Sequence, residues 1–328
     1  MGVLVTGAAG FIGMHVAQAL LARGETVVGV DNLNAYYDPA LKRARLARLE
    51  DREGFRFVEA DIADLAAMER LAAEVGEMVE GVVHLAAQAG VRYSLEKPFE
   101  YVRSNLEGHM VVLELCRHRL PALRHLVYAS SSSVYGGNEK VPFAVGDRVD
   151  HPVSLYAATK RADELLSQAY AHLYRIPQTG LRFFTVYGPW GRPDMAYFIF
   201  ADAIAAGRPI TLFNHGRMRR DFTYIDDIVA GVLAALDRPP PDEGRAPHRV
   251  YNLGNNEPVE LERFVKALEA AMGREAEIRQ TGMQPGDVEA TFADIEATTR
   301  DLGWRPTTSI EEGLRRFAAW HAGWRQGG

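Results

Sequence analysis

The sequence predicts an α/β fold, a doubly wound parallel sheet followed by a smaller C-terminal α/β lobe. Three observations predict it. Short apolar runs alternate with helical stretches through the first half of the 328 residues, the pattern of βαβ units. A glycine-rich turn, TGAAGFIG at 6–13, joins the first apolar run to the first helix. After about residue 185 the apolar runs shorten and the rhythm breaks.

Val3–Thr6 reads as a buried strand and Phe11–Arg23 as a helix. Strands follow at Thr26–Val30, Phe55–Glu59 and Gly81–Leu85. Phe99–Leu120 reads as one long helix, His125–Ser130 as a strand, Leu155–Arg175 as a second long helix and Thr179–Phe183 as a strand. Right-handed crossovers between parallel strands give a Rossmann-type sheet with a crevice at the strands' carboxyl ends. Shorter strands are expected at Ile210–Phe213, Asp221–Tyr224 and Val250–Leu253. Helices are expected at Ala196–Ala206, Asp226–Leu236, Leu261–Met272 and Ile310–Trp320. Arg238–Pro247, containing PPPDEG, reads as a surface loop. The expected division is residues 1–184 for a dinucleotide-binding domain and 185–328 for a substrate lobe, with some elements of the second half returning to the first sheet.

Composition narrows the class. A chain that is 47% hydrophobic and 24% charged is neither disordered nor low-complexity. The net charge of −6 offers no basic field for nucleic acid. No apolar run approaches the roughly 18 residues of a membrane span. No signal peptide is expected, because structure begins at residue 2, and the myristoylation-like start MGVLVT leads straight into a strand that must be buried. One cysteine, Cys116, excludes an intramolecular disulfide and fits a reducing, cytoplasmic setting. It falls on the apolar face of a helix and reads as core. The ten histidines are scattered without metal-ligand spacing, so no metal is expected.

Gly7, Gly10 and Gly13 permit a tight turn and a close backbone approach to a pyrophosphate, with a helix N-terminus behind them. Asp31 ends the next strand. That acid suits ribose hydroxyls and repels a 2′-phosphate, favouring NAD over NADP, although an aspartate there also serves as a turn residue. Asp61 either meets the adenine edge or caps a helix over Ala63–Val75. LAAQ at 85–88 ends a strand with small residues that let a cofactor lie against the backbone, or simply pack well.

YAATK at 156–160 sets Tyr156 and Lys160 one helical turn apart. With 13 tyrosines and five lysines, about 0.2 such pairs arise by chance. A phenol titrates near 10, too high for a base at neutral pH; an adjacent ammonium favours the phenolate. ASSSSVYG at 129–136 ends a strand at the crevice, where a serine can share the substrate proton with the tyrosine. A serine run standing alone reads as a polar loop.

Together with D-I-x-D at 61–64 and RRDFTYIDD at 219–227, these motifs resemble the NAD-dependent nucleotide-sugar epimerases and dehydratases of the extended short-chain dehydrogenase/reductase family, over essentially the whole chain. The resemblance implies tightly held NAD, a UDP-sugar substrate and Ser131, Tyr156 and Lys160 as the catalytic set. It carries the cofactor site over Gly7, Gly10, Phe11, Ile12, Gly13, Asp31, Asn32, Asp61, Ile62, Leu85, Ala86, Ala87, Gln88 and Asn105, with Tyr156 and Lys160. It also implies Arg220 on phosphate and Asp287 on ribose, the lesser alternative being a surface ion pair of Arg220 and Asp221. It implies a homodimer in which helices 99–120 and 155–175 pair with a twofold mate, unless their apolar faces pack inside.

Dehydratases of this group resemble S-T-D-E-V-Y-G, and decarboxylases carry a Glu before V-Y-G. Ser132 and Ser133 stand at those positions and supply no carboxyl proton, which leaves epimerisation. NAYYDPALK (34–42), AGVRYS (89–94), VYGPWGRPDMA (186–196) and MQPGDV (283–288) resemble UDP-glucuronate 4-epimerases. Gln284 stands where galactose epimerases commonly have an arginine, and Thr185 replaces an asparagine. The alternatives are a UDP-glucose or UDP-N-acetylglucosamine epimerase, or a non-catalytic NAD-binding sensor. Arg92 and Arg192 are candidate partners for a uronate carboxylate, or else pair with surface acids. Ser131, Ser132, Ser133, Thr185 and Arg192 are the expected clamp on that carboxylate.

Overall fold

The computed structural model describes residues 1–282 and 290–327. In chain order it opens with β1 (Gly2–Thr6), α1 (Phe11–Ala22), β2 (Thr26–Asp31), α2 (Pro39–Glu50), β3 (Phe55–Glu59), α3 (Leu65–Val75) and β4 (Val79–His84). Then come α4 (Tyr93–Glu96), α5 (Pro98–Tyr101), a π-helical stretch (Val102–Glu107), α6 (Gly108–His118), β5 (His125–Ser131), α7 (Leu155–Tyr174) and β6 (Gln178–Phe183). The second half supplies β7 (Thr185–Tyr187), α8 (Ala196–Ala205), β8 (Ile210–Leu212), β9 (Arg219–Tyr224), α9 (Ile225–Leu236) and β10 (His248–Leu253). It ends with β11 (Pro258–Glu260), α10 (Leu261–Met272), β12 (Ile278–Gln280), β13 (Ala290–Thr291), α11 (Glu296–Leu302) and α12 (Ile310–Gly327).

Two compact units result. The first comprises residues 1–136, 148–183 and 229–251; the second comprises 137–147, 184–228 and 252–328. The first unit is built on a seven-stranded sheet in the order β10-β6-β5-β4-β1-β2-β3. Strands β1 to β6 pair in parallel. Chain order thus reverses between β1 and β4, the switch point at which such sheets bind ligands. Parallel strands covered on both faces read as unbroken apolar runs, and Val3, Leu4 and Val5 of β1 are all buried. One face packs on α3 and α6 through Met68, Leu71, Val112 and Leu115. Cys116 belongs to that core, and burial pushes its thiol up to about 12. The second unit carries a small sheet in which β9 pairs with β7, β11 and β13.

Among the departures from expectation, three have a clear physical cause. The long helix 99–120 is broken: α5 gives way to a π-helical turn before α6 begins at Gly108. The extra residue turns Asn105 inward, where it is buried and hydrogen-bonded. Helix α2 was not expected. Asp38 caps it by accepting from the Ala40 N–H, and Pro39 starts it. Its buried side includes Lys42 and Arg45, so no apolar stripe marks it in the sequence. Helix α12 continues past Trp320 to Gly327 because Trp324 stacks on Trp320, with ring centroids 6.0 Å apart.

Candidate active site

The loop from β1 to α1 lies at the switch point. The Gly7 and Ala8 N–H groups donate to Val30 O at 2.7 and 3.1 Å, which ties the loop to β2. Gly7 has φ +74°, and a Cβ there would sit 2.8 Å from Ala86 N. A Cβ on Gly13 would lie 2.0 Å from Gly7 O. Both positions exclude any side chain, so the loop lies tight against β4 and α1. Helix α1 starts at Gly10 with no side-chain cap, which leaves the first-turn N–H groups of Phe11, Ile12 and Gly13 for an anion.

Asp31 is buried at the end of β2 and is also a turn residue. Its Oδ2 accepts from the Ala9 N–H at 3.2 Å and its Oδ1 from the Leu33 N–H at 2.9 Å. Lys42 Nζ stands 4.0 Å from Oδ1. Burial lowers the Lys42 pKa, and the charge of Asp31 opposes that shift. Arg45 donates to Ala9 O at 3.3 Å and to the Tyr37 hydroxyl at 2.5 Å. Lys42 and Arg45 therefore buttress the loop from below, a role that sequence reasoning missed. Asn32 is exposed, and its Oδ1 accepts from the Asn34 N–H.

Asp61 does not cap α3, because Asp64 does, accepting from the Ala67 N–H at 3.0 Å. Asp61 instead accepts from the Ala63 N–H and from Arg103. Ile62 is buried in the α3–α6 core. Leu85 and Ala86 continue from β4, with their N–H groups on Thr6 O and Thr6 Oγ1. Ala87 is half-buried. Asn105 clamps the next residue: its Oδ1 accepts from the Gln88 N–H at 2.8 Å, and its Nδ2 donates to Gln88 O and to Thr159 Oγ1. Both amide hydrogens are thereby spent on holding the LAAQ segment to α7. Thr159 in turn donates to the backbone oxygen of Tyr156.

Ser154 caps α7 by accepting from the Ala157 N–H, which places Tyr156 and Lys160 on its first two turns. Tyr156 is half-buried and meets Tyr101 edge-on at 6.1 Å. Tyr101 is fixed by its hydroxyl, which donates to Ala89 O and Gly90 O. Tyr93 and then Tyr36 continue this aromatic row back to the segment before α2. Lys160 is buried and donates to Asp163 Oδ2 at 2.7 Å. Ser131 ends β5, and its Oγ accepts from the Ser133 N–H at 3.1 Å. Ser132 and Ser133 form a half-buried helical turn that packs on α7.

Beneath them lies a buried acid. Glu164, one turn past Lys160, accepts from Ser130 Oγ at 2.6 Å, from Arg161 at 2.9 Å and from Arg182 Nε and Nη2 at 2.8 and 2.9 Å. Burial pushes Glu164 up, but Arg182, Ser130 and Arg161 outweigh it and hold the carboxyl below its usual range. The signal was present in the sequence as acids three and four residues after Lys160. Arg92 is exposed at the start of α4.

The second unit holds the other candidates. Thr185 is half-buried on β7, opposite Phe222 of β9. Arg192 makes a two-pronged ion pair with Asp194, with Nε–Oδ1 at 3.0 Å and Nη2–Oδ2 at 2.5 Å. Its segment is braced by Trp190, which has φ +63° and packs on Trp320 and Trp324 of α12. Arg220 is half-buried, with Nη1 on Arg219 O. The lesser alternative, a surface ion pair between Arg220 and Asp221, is not formed. Asp221 is wholly buried and accepts from the N–H groups of Asn255, Asn256 and Ala293 and from Thr223 Oγ1. Asp287 and Gln284, with the rest of MQPGDV, lie outside the described residues. Among the described residues no acid, histidine or cysteine group could hold a metal, and no helix is long and apolar enough to cross a membrane.

Residues 3–254 match the NAD dependent epimerase/dehydratase family. The chain belongs to that family. A probable UDP-glucuronate 4-epimerase of Rhizobium meliloti is 51% identical, covering 98% of this chain and 97% of that protein. The Bacillus cereus UDP-glucuronic acid 4-epimerase, solved with UDP-glucuronic acid and NAD, superposes with a TM-score of 0.88 at 35% identity, covering 99% of this chain and 100% of that one. The Thermotoga maritima UDP-glucose 4-epimerase, solved with UDP-glucose, gives 0.87 at 31% identity, covering 100% and 99%.

Proposed function

We propose that the protein epimerises C4′ of UDP-glucuronate to give UDP-galacturonate, with NAD as resident cofactor. The observation that carries this reading is the full-length likeness, 51% identical, to a probable UDP-glucuronate 4-epimerase, in a chain that carries Tyr156 and Lys160 one helical turn apart on α7. Residues 1–184 are assigned to NAD binding and 185–328 to the nucleotide sugar, apart from the elements that return to the first sheet.

The residues present fit NAD. Gly7 and Gly13 leave a bare backbone at the switch point, the uncapped α1 start offers N–H groups to the pyrophosphate, and Asp31 offers carboxylate oxygens to the adenosine ribose. When bound, NAD would supply the hydride acceptor and donor for C4′. Tyr156, as phenolate, takes the proton from O4′ and later gives it back, with Ser131 Oγ orienting that oxygen. Lys160 favours the phenolate by its charge.

The 4-keto sugar formed on the way is a β-keto acid, prone to lose CO2 when its carboxylate bond aligns with the ketone. Ser132 and Ser133 hydroxyls and Thr185 are assigned to hold the carboxylate out of that alignment. Arg192 is its charged partner, exchanging Asp194 for the substrate, with Arg92 as the second candidate. Arg220 is assigned to the diphosphate and Asp287 to the uridine ribose. A homodimer through the outer side of α5 to α7 is part of the reading, supported by exposed Phe99, Leu165 and Leu173. No nucleic acid partner is proposed. The single, buried Cys116 fits a cytoplasmic enzyme.

The test is incubation of the purified protein with UDP-glucuronate, UDP-glucose and UDP-N-acetylglucosamine separately, followed by chromatography. Appearance of UDP-galacturonate without net NADH supports the reading. Faster turnover of UDP-glucose replaces it with a hexose epimerase. No turnover of any sugar by protein that binds NAD leaves a sensor.

A further inference from the structure

The surroundings of Lys160 contain an acid for which the reaction as described has no use. Asp163 lies three residues further along α7, and its Oδ2 accepts from Lys160 Nζ at 2.7 Å. Both side chains are buried, Lys160 3% and Asp163 1% exposed. Asp163 Oδ1 is buried with no hydrogen-bond partner. A half-satisfied carboxylate is costly in an interior, and a hydrophobic residue would pack there without that cost. What it provides is a carboxylate 2.7 Å from the ammonium carried one helical turn after Tyr156.

We infer that Asp163 is a tuning residue: it is the resident counter-ion of Lys160 and sets how much of that ammonium's field reaches Tyr156. The inference rests on Tyr156 as the base. Two anions, the Asp163 carboxylate and the Tyr156 phenolate, then compete for one cation. The carboxylate also opposes the phenolate directly as a like charge on the same helix. Asp163 therefore raises the pH at which Tyr156 becomes competent.

The other groups around the pair do not change charge near neutrality. Burial pushes His84, at the end of β4, down to about 3, and His109 on α6 well below its usual value. Tyr128 on β5 is pushed well up by burial. Glu164 on α7 is held ionised by Arg182. Asp163 itself is raised by burial, against the pull of Lys160, to about 6.

The test compares wild-type holoenzyme with Asp163→Asn and Asp163→Glu. Two readouts are taken: the pH dependence of the initial epimerisation rate, and the ultraviolet phenolate absorbance assigned to Tyr156 by subtracting the matching Tyr156→Phe protein. Asp163→Asn should lower the midpoint of the acid limb by about half a pH unit or more in both readouts, and Asp163→Glu should restore it. A midpoint that is unchanged or raised in a folded Asp163→Asn protein overturns the inference. If Asp163→Asn does not fold, Asp163→Ser carries the same measurement, and failure of both to fold makes Asp163 structural only. If wild type epimerises nothing while the phenolate midpoint still moves, the functional reading fails and the coupling stands.

Discussion

Glu164 grips Arg182 by both prongs, at 2.8 and 2.9 Å, inside the parallel-sheet unit, and the same carboxylate accepts the hydroxyl of Ser130. One acid thus joins α7, which carries Tyr156, to β6 and to the strand end that carries Ser131. The Arg182 guanidinium also lies 4.8 Å from the ring centroid of Tyr135, which anchors the turn after the serines.

Replacing Glu164 by Gln should therefore damage stability and geometry together. It leaves a buried guanidinium uncompensated, at a cost of about 3–5 kcal/mol. Chemical denaturation should report that loss, and kcat should fall more than KM rises, because the base and the serine lose their relative placement. The wild-type pair also makes a pH prediction. The folded pKa of Glu164 is depressed, so its contribution is fully present above the unfolded carboxyl value and is lost as pH falls through the lower folded value. The acid unfolding midpoint should move to higher pH in the variant.

Buried histidines act at higher pH. Burial lowers His125 and His248 to about 4 and His84 to about 3. Unfolded, each takes up a proton near 6.5; folded, each resists it. Stability is full above about 6.5 and should fall by about 1.4 kcal/mol per pH unit per histidine from there towards the folded values. Melting temperature measured against pH should begin to drop near 6.5, ahead of any carboxylate. A flat profile down to pH 5 would contradict neutral burial of these rings.

Arg220 and Asp221, neighbours in sequence, should behave differently. Asp221→Ala strands three backbone N–H groups and should cost more than about 3 kcal/mol of stability. Arg220→Ala should leave melting nearly unchanged and weaken UDP binding by about tenfold or more, as a lost charge-assisted contact would. Calorimetry of unfolding and of UDP binding separates the two. Equal destabilisation by both would restore the ion-pair reading.

Arg192 gives the substrate test. Arg192→Ala should impair UDP-glucuronate more than UDP-glucose, by about 1.5–3 kcal/mol in kcat/KM. It should also release CO2 and a UDP-pentose product that wild type forms sparingly. Rate loss shared equally by the two sugars would remove Arg192 from the carboxylate.

The parallel sheet was legible because buried strands are continuous apolar runs punctuated by glycine turns. Phe55–Glu59 and Leu261–Met272 match to the residue. Helix α2 was not legible, since its inner face carries Lys42 and Arg45 for polar duty. The break before α6 was hidden because Asn105 reads as an ordinary helix residue until Gln88 is beside it. Tyr156 and Lys160 stood out by spacing. Asp163 and Glu164 sat in the same helix turn, but their meaning depends on Lys160 and on Arg182, 18 residues away from Glu164 in sequence. The alternative pairing of Arg220 with Asp221 fails because successive residues of β9 face opposite ways.

The interleaving of the two units limits how this enzyme can be recombined. Its units exchange the chain at five junctions, after Gly136, Asp147, Phe183, Ile228 and Tyr251. A fragment ending at Phe183 would lack β10 and leave β6 as a bare sheet edge, open to self-association. A lobe beginning at Phe184 would lack residues 137–147. Neither half is a cassette. Grafting a relative's second unit onto this first unit would require five splices in register, so new specificity is reached more readily by point substitutions within the loops.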